Sequence, residues 1–213
     1  TMKTLADAIS LRNRLIDMLE QAENEKNPKI KKRLLTFVIV GGGFAGVETA
    51  GEINDFLHDA VSYYHNTKKE DVQVILVEAV STILPGFNER LTEYAHNKLE
   101  KNGIKILLQN VVTSFDGKNV VISKLSESSS DVDSKKVIDS HTLVWTAGVT
   151  PVEIIQKSVF KVKKGKIIVN EFLEIPDYPG IFAIGDCSQF DDQFSNKFPP
   201  TAQLAEAHAK LAA

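Results

Sequence analysis

Residues 34 to 52 read Leu34-Leu35-Thr36-Phe37-Val38-Ile39-Val40-Gly41-Gly42-Gly43-Phe44-Ala45-Gly46-Val47-Glu48-Thr49-Ala50-Gly51-Glu52. The order of residue types in this stretch decides the fold. An apolar run, Leu34 to Val40, leads into six residues of which four are glycine, and a helix-like segment follows from Val47 to Leu57. Strand, tight turn and helix, with G-x-G-x-x-G at Gly41, Gly43 and Gly46, is the pattern of a dinucleotide-binding turn. Gly41 permits the turn, Gly43 lets the backbone approach a pyrophosphate, and Gly46 lets the helix pack close to the strand. Phosphates then meet the free N–H groups and the positive end of the helix.

A second cue follows. Val72 to Val77 reads as a buried strand ending in Glu78. A carboxylate at the end of the second strand bonds the adenine ribose hydroxyls and repels a 2′-phosphate. Ala79-Val80-Ser81 supplies no Arg to reverse that preference, so NAD is favoured over NADP. Glu78 lies 32 residues past Gly46, against about 20 in the usual pattern. A long helix and the polar segment His58 to Asp71 take up the excess. The plain alternative is a glycine-rich α/β turn that holds no nucleotide.

The totals narrow the field. The chain has 213 residues, 43% hydrophobic and 25% charged, with a formal net charge of −3. That is room for one large or two small globular domains. No basic face marks a nucleic-acid partner. No apolar run reaches the roughly 18 residues needed to span a membrane, and no signal-peptide core is visible after Thr1-Met2-Lys3-Thr4. Cys187 is the one cysteine, so neither a disulfide framework nor a CxxC pair nor a cysteine-rich metal site is built within this stretch.

In chain order, residues 4 to 22 have helical spacing, with Leu5, Ala8, Ile9, Leu15, Ile16, Leu19 and Ala22 on one broad face. Asn27-Pro28 breaks that helix, and the basic run Lys29 to Arg33 reads as a solvated linker into the first strand. After the strand at 72–78 come a loop around Leu84-Pro85-Gly86-Phe87 and a helix from Leu91 to Lys101, stopped by Asn102-Gly103. Ile104 to Leu108 is a short strand. Val111 to Phe115 and Val120 to Ser123 form a hairpin around Asp116-Gly117. The serine-rich residues 124–136 read as an exposed tip. Thr142 to Ala147 is an apolar strand closed by Gly148-Val149-Thr150-Pro151. The sum is α/β: a doubly wound parallel sheet in which a β-meander replaces one crossover. Beyond Pro151, Gly165 to Asn170 reads as a strand, Ile181 to Ile184 as a buried strand ending in Gly185-Asp186-Cys187, and Thr201 to Ala213 as a helix without a stop signal. A helix before the first strand and an uncapped one at the end give the expectation of a chain cut from something larger.

At Gly185-Asp186 the sequence resembles the two-dinucleotide flavoproteins of the pyridine nucleotide-disulfide oxidoreductase superfamily, and within it the type II NADH:quinone dehydrogenases. The likeness rests on the helix from Met2 to Ala22, the glycine loop, the strand with Glu78 and its Leu84-Pro85-Gly86-Phe87 loop, and Leu143-Val144-Trp145-Thr146-Ala147-Gly148-Val149. It continues through Ile181 to Cys187 and Phe198 to Lys210, with Pro199-Pro200-Thr201-Ala202-Gln203. The resemblance implies a two-dinucleotide fold: residues 1–33 a helix and linker of an FAD domain, 34–149 the inserted NADH domain, and 150–213 a truncated returning part of the FAD domain. It implies FAD and NAD as cofactors and hydride transfer from NADH to flavin, then two electrons to a quinone. It further implies peripheral contact with the cytoplasmic face of a membrane through a segment outside this chain, with homodimer formation open.

Residue roles carried over from the resemblance are these. Gly41, Gly43, Phe44, Ala45, Gly46, Glu78, Ala147 and Gly148 hold NADH. Gly185 and Asp186 meet the ribityl and pyrophosphate part of FAD. Ala202 and Gln203 lie beside the flavin ring and quinone. Glu48, taken to be in the first helix turn, stands near the nicotinamide–flavin junction; on its own it reads as a carboxylate favourable to the helix dipole. Where the family has glutamine, this chain has Ala207 and His208. His208 reads as a surface histidine, or as a hydrogen-bonding or proton-relaying replacement. Cys187 reads as packing rather than redox chemistry. Two rivals stand. A sulfide:quinone oxidoreductase needs redox cysteines that this stretch does not carry. A sensor module would bind NADH without turnover.

Overall fold

Alternate residues of β1 (Thr36–Val40) face two different cores, which is why the whole strand is buried. β1 pairs in parallel with β2 (Gln73–Val77), and β2 with β3 (Lys105–Leu107). The chain then makes an antiparallel meander of β4 (Asn110–Phe115), β5 (Asn119–Lys124) and β6 (Lys136–Asp139). It returns as β7 (Thr142–Trp145), parallel to β1 on its other side. The main sheet thus has the order β3-β2-β1-β7. The walk across the sheet reverses between β1 and β7, the switch point at which open α/β sheets take their ligands.

The computed structural model describes residues 2, 4–125, 135–148, 153–190 and 201–213. It divides into two compact units, residues 1–148 and 149–213. Most of the serine-rich tip, the end of the Gly148-Val149-Thr150-Pro151 stretch, and Phe198-Pro199-Pro200 lie outside the described residues.

In the first unit, Phe37, Ile39, Val74, Leu76 and Val144 belong to a core shared with the helices. Val38, Ile75 and Val77 belong to a second core with Val120, Ile122 and Ile138 of the meander. The period-2 alternation of a strand here serves two apolar layers, so the runs read as continuous rather than alternating. Fully burying side chains of this size stabilises by about 1.5–3 kcal/mol each.

The helical layer contains α1 (Leu5–Asn24), α2 (Pro28–Leu34), α3 (Phe44–Ala60) and α4 (Glu89–Lys101). Thr4 and Asp7 close a reciprocal capping box at the start of α1. The buried stripe of α1 is Leu15, Met18, Leu19 and Ala22. It is narrower than the face expected from spacing, since Leu5 is 77% and Ile9 43% exposed. These residues share the first unit's core with Leu34, Phe37 and Leu57, although the resemblance assigns residues 1–33 to another domain.

The basic run is not a linker. Asn27 Oδ1 accepts the Lys29 N–H at 3.0 Å and Pro28 opens the helix, so the residue that ends α1 also starts α2. Lys31, Lys32 and Arg33 then fall in its last turn, the end where cations favour the dipole. The strand accordingly starts at Thr36, two residues later than expected. After α3, the segment 64–66 is pinned to α1. Tyr64 Oη donates to Glu20 at 2.9 Å, and the backbone N–H groups of His65 and Asn66 donate to the Glu23 carboxylate at 2.9 and 2.8 Å. Burial, with the Glu20 carboxylate beside it, pushes the Tyr64 hydroxyl up to about 12. The long spacing between the glycines and Glu78 is therefore an ordered excursion.

The second unit contains α5 (Glu153–Gln156), β8 (Val162–Lys163), β9 (Lys166–Val169), β10 (Ser188–Phe190) and α6 (Ala202–Ala212). β9 pairs antiparallel with β8 and parallel with β10. Its core is Ile167, Val169, Leu173, Ile175 and Ala183. The expected buried strand Ile181–Ile184 is not there. The segment makes a single bridge, Glu174 to Phe182, with Ile175 N bonded to Ile181 O and Ala183 N to Leu173 O. Paired only to its own preceding turn, it buries Ala183 and leaves Ile181, Phe182 and Ile184 exposed.

Candidate functional site

The glycine loop leaves the C-terminal end of β1, and three chain segments hold it. Gly41 N donates to Val77 O at 2.9 Å. Gly42 N donates to Glu78 Oε2, and Gly42 O accepts from Leu84 N at 2.7 Å. From the β7 side, Thr146 N and Oγ1 both donate to Val40 O, at 3.0 and 2.7 Å. Two glycines are dictated by these neighbours. Gly41 sits at φ +108°, and a Cβ there would stand 3.0 Å from Ala147 Cβ. A Cβ on Gly46 would stand 1.6 Å from Gly41 O and 2.8 Å from Thr146 Oγ1. Helix and loop touch without space for a methyl group.

Gly43 differs. Its φ is −73°, and a Cβ there would meet no atom within 4 Å. No neighbour among the described residues excludes a side chain at this position. Gly43 is also the N-cap of α3 and gives it no side-chain cap. The first-turn N–H groups of a 17-residue helix thus face outward at the switch point, where backbone donors and the dipole favour an anion. Phe44 packs its ring edge-on to Phe87 with centroids 4.7 Å apart, which ties the loop to the segment after Glu78. Ala45 is exposed beside it.

Glu78 has a structural task in addition to its predicted one. Its two carboxylate oxygens accept backbone N–H groups, Oε2 from Gly42 and Oε1 from Val80, the latter at 2.9 Å. Opposite it, Trp145 Nε1 donates to Ala147 O at 3.0 Å, and Gly148 is exposed at the end of the β7 loop. Gly41, Gly43, Phe44, Ala45, Gly46, Glu78, Ala147 and Gly148 therefore belong to one assembly of three segments.

Glu48 is exposed, but it is the fifth residue of α3 rather than part of its first turn. The dipole effect fades within the first turn, so that simple account of Glu48 fails. Sequence reasoning missed Thr146, Gly42 and Leu84. Thr146 left a signal, a polar residue between an apolar strand and Ala147-Gly148. Leu84, at φ +48°, left none.

In the second unit, Gly185-Asp186-Cys187 is one turn of 3₁₀ helix. Gly185 is at φ +66°, Ser188 Oγ donates to Gly185 O at 2.8 Å, and Cys187 Sγ donates to Ile184 O at 3.1 Å. Asp186 is exposed. Thr201 caps α6 by accepting the Leu204 N–H at 3.2 Å, which leaves Ala202 and Gln203 exposed in the first turn. His208 is not a surface residue. It is 7% exposed, its Nδ1 accepts the Gly185 N–H at 3.1 Å, and its ring lies edge-on to Phe190 at 5.8 Å. Burial lowers its pKa.

The pyridine nucleotide-disulphide oxidoreductase profile matches residues 6–209. The chain is 35% identical over 209 residues to the external alternative NADH-ubiquinone oxidoreductase of Yarrowia lipolytica, covering 96% of this chain and 34% of that protein. It is 32% identical over 218 residues to the type II NADH:quinone oxidoreductase Ndh of Mycobacterium tuberculosis, covering 100% of this chain and 45% of that one. Among solved structures, NDH2 of Plasmodium falciparum in complex with NADH superposes with a TM-score of 0.73 at 25% identity, covering 88% of this chain and 39% of its own. The chain thus spans between a third and a half of the length of these curated relatives. The sheet order, the loop geometry and the profile agree: the chain belongs to the pyridine nucleotide-disulphide oxidoreductase family.

Proposed function

We propose that the intact protein is an FAD-dependent NADH:quinone oxidoreductase of the non-proton-pumping type, converting NADH, a proton and a quinone to NAD and a quinol. The observation that carries this reading is the braced glycine loop with free space at Gly43, seated at the sheet's switch point in a chain related to enzymes so named. Residues 34–149 serve as the NADH domain, and 1–33 and 150–213 as parts of an FAD domain.

In this reading the N–H groups at the start of α3 take the NADH pyrophosphate, with Gly43 allowing close approach. Phe44 and Ala45 border it. Glu78 accepts the adenine ribose hydroxyls on lone pairs not used by Gly42 and Val80, and its charge disfavours a 2′-phosphate. Ala147 and Gly148 line the nicotinamide side, and Glu48, a turn into α3, faces the nicotinamide–flavin junction. In the second unit the fit to FAD is partial: an exposed carboxylate, Asp186, on a positive-φ turn is suited to ribityl hydroxyls. Gln203, exposed at the start of α6, meets the flavin ring and quinone.

FAD, when bound, supplies the acceptor of the hydride and the two-electron donor to quinone. The chain's residues bind and orient the partners. Peripheral attachment to the cytoplasmic face of a membrane and a homodimer complete the proposal; no helix among the described residues is long and apolar enough to cross a membrane.

The test is an anaerobic NADH titration of the intact protein, followed by a soluble quinone. Bleaching of the flavin band by NADH and its recovery on quinone are expected. Bleaching by sulfide alone would move the reading to the sulfide enzyme, and NADH binding without flavin would leave the sensor.

A further inference from the structure

Gly185, in the turn that presents Asp186, is gripped by a residue 23 positions further along the chain. Its N–H donates to His208 Nδ1 at 3.1 Å. A Cβ at Gly185 would lie 3.2 Å from Ala205 Cβ, so α6 lies directly on the turn. The imidazole cannot swing away, because it is buried and held edge-on by Phe190. Asp186 itself is exposed and follows whatever direction the turn takes. We propose that His208 is a positioning residue for the flavin site: by accepting the Gly185 N–H it fixes the turn against α6 and sets where the Asp186 carboxylate points. The inference rests on the reading of Asp186 as an FAD ligand.

The bond requires an unprotonated Nδ1, and therefore a neutral ring carrying its proton on Nε2. A second proton would oppose one N–H with another. Among the described residues, the charged groups on the elements that meet here are Asp186 on the turn, Lys166 on β9, and Glu206 and Lys210 on α6. The last two pair with each other at 2.8 Å. The ring's pKa is lowered by burial. The sign follows. The grip is present above the ordinary histidine value of about 6.5 and is lost as pH falls through the lowered value of the folded state.

The experiment is equilibrium FAD binding to the intact protein between pH 7.5 and pH 5, read by flavin fluorescence, for the wild type, His208→Asn and His208→Leu. Asn keeps an acceptor near the Nδ1 position and does not titrate in this range. The wild type is expected to weaken about fivefold on acidification, the equivalent of one hydrogen bond. His208→Leu should be about fivefold weaker at pH 7.5, with a flat profile. His208→Asn should match the wild type at pH 7.5 and stay flat to pH 5. A wild-type profile as flat as that of His208→Asn would overturn the inference. So would undiminished affinity in a folded His208→Leu. If His208→Leu does not fold, the wild-type and Asn profiles decide alone. A wild type that binds no flavin at any pH would instead overturn the functional reading, and this inference with it.

Discussion

Two glycine turns of this chain are held in different ways. Gly41 to Gly46 and the end of β1 are held from β2, from the segment after it and from the residue after β7, by backbone bonds and by the Glu78 and Thr146 side chains, so the geometry is redundant. Gly185 has its N–H held by a single imidazole, from a distant helix. The first turn is braced by the fold of the sheet itself. The second has local bonds from Ser188 and Cys187, and its tie to α6 is a bond that protonation removes.

The difference can be broken from the first side. Gly46→Ala forces a methyl group onto Gly41 O. It should destabilise by about 3 kcal/mol or more, a fall in Tm of about 6–12 °C for a domain of this size, checked by thermal unfolding. A Tm within a degree of wild type would mean that the loop is no more rigid than the second turn. Glu78→Gln removes the charge and, since its amide nitrogen cannot accept, one of the two backbone bonds to Gly42 and Val80. The ratio of kcat/KM for NADPH to that for NADH should rise about tenfold, or about 1.4 kcal/mol, in steady-state kinetics of the intact enzyme. Thr146→Val deletes one of the two donors on Val40 O and should cost about 1 kcal/mol, read by chemical unfolding; the surviving Thr146 N–H keeps the loss small.

The smallest effect concerns the meander hairpin, another locally held turn. The Asn119 side-chain amide, then the backbone N–H groups of Lys118 and Asn119, bring Asp116 down to about 2. Its contribution is therefore full above the ordinary aspartate value of about 3.9 and is lost as pH falls through about 2. Asp116→Ala should lower Tm slightly at pH 7 and by less near pH 2, where the carboxyl is about half protonated in the folded state.

Legibility in the sequence follows the same division. The first unit's sheet could be read because both faces of β1 and β2 are apolar and its turn chemistry is local. Gly41, Gly46 and Glu78 could be placed by their local spacing, although the contacts that require them come from Ala147, Thr146 and Gly42, far away in the chain. What failed there was length and context: α2 hid behind a helix breaker that is also a helix starter, and the early apolar residues of α1 run past the core they were expected to enter. In the second unit, Ile181–Ile184 had strand composition, but strand composition does not supply a pairing partner, and the segment folds back on its own turn. His208 was unreadable for a different reason. A histidine on a helix gives no sign of which backbone N–H it will meet, and only the packing of α6 on Gly185 reveals it.

The central claim is that the glycine loop is a nucleotide receptor and not merely a tight α/β turn. Gly43 isolates that claim, because an added methyl group touches nothing in the protein. The measurement is the NADH dependence of anaerobic flavin reduction in the intact enzyme, for the wild type and Gly43→Ala, with Tm recorded for both. The account predicts a Tm lowered by no more than a few degrees, since glycine is favoured over alanine at an N-cap but the methyl group meets no clash, together with half-saturation at about tenfold more NADH or higher. Equal half-saturation with equal stability would contradict it.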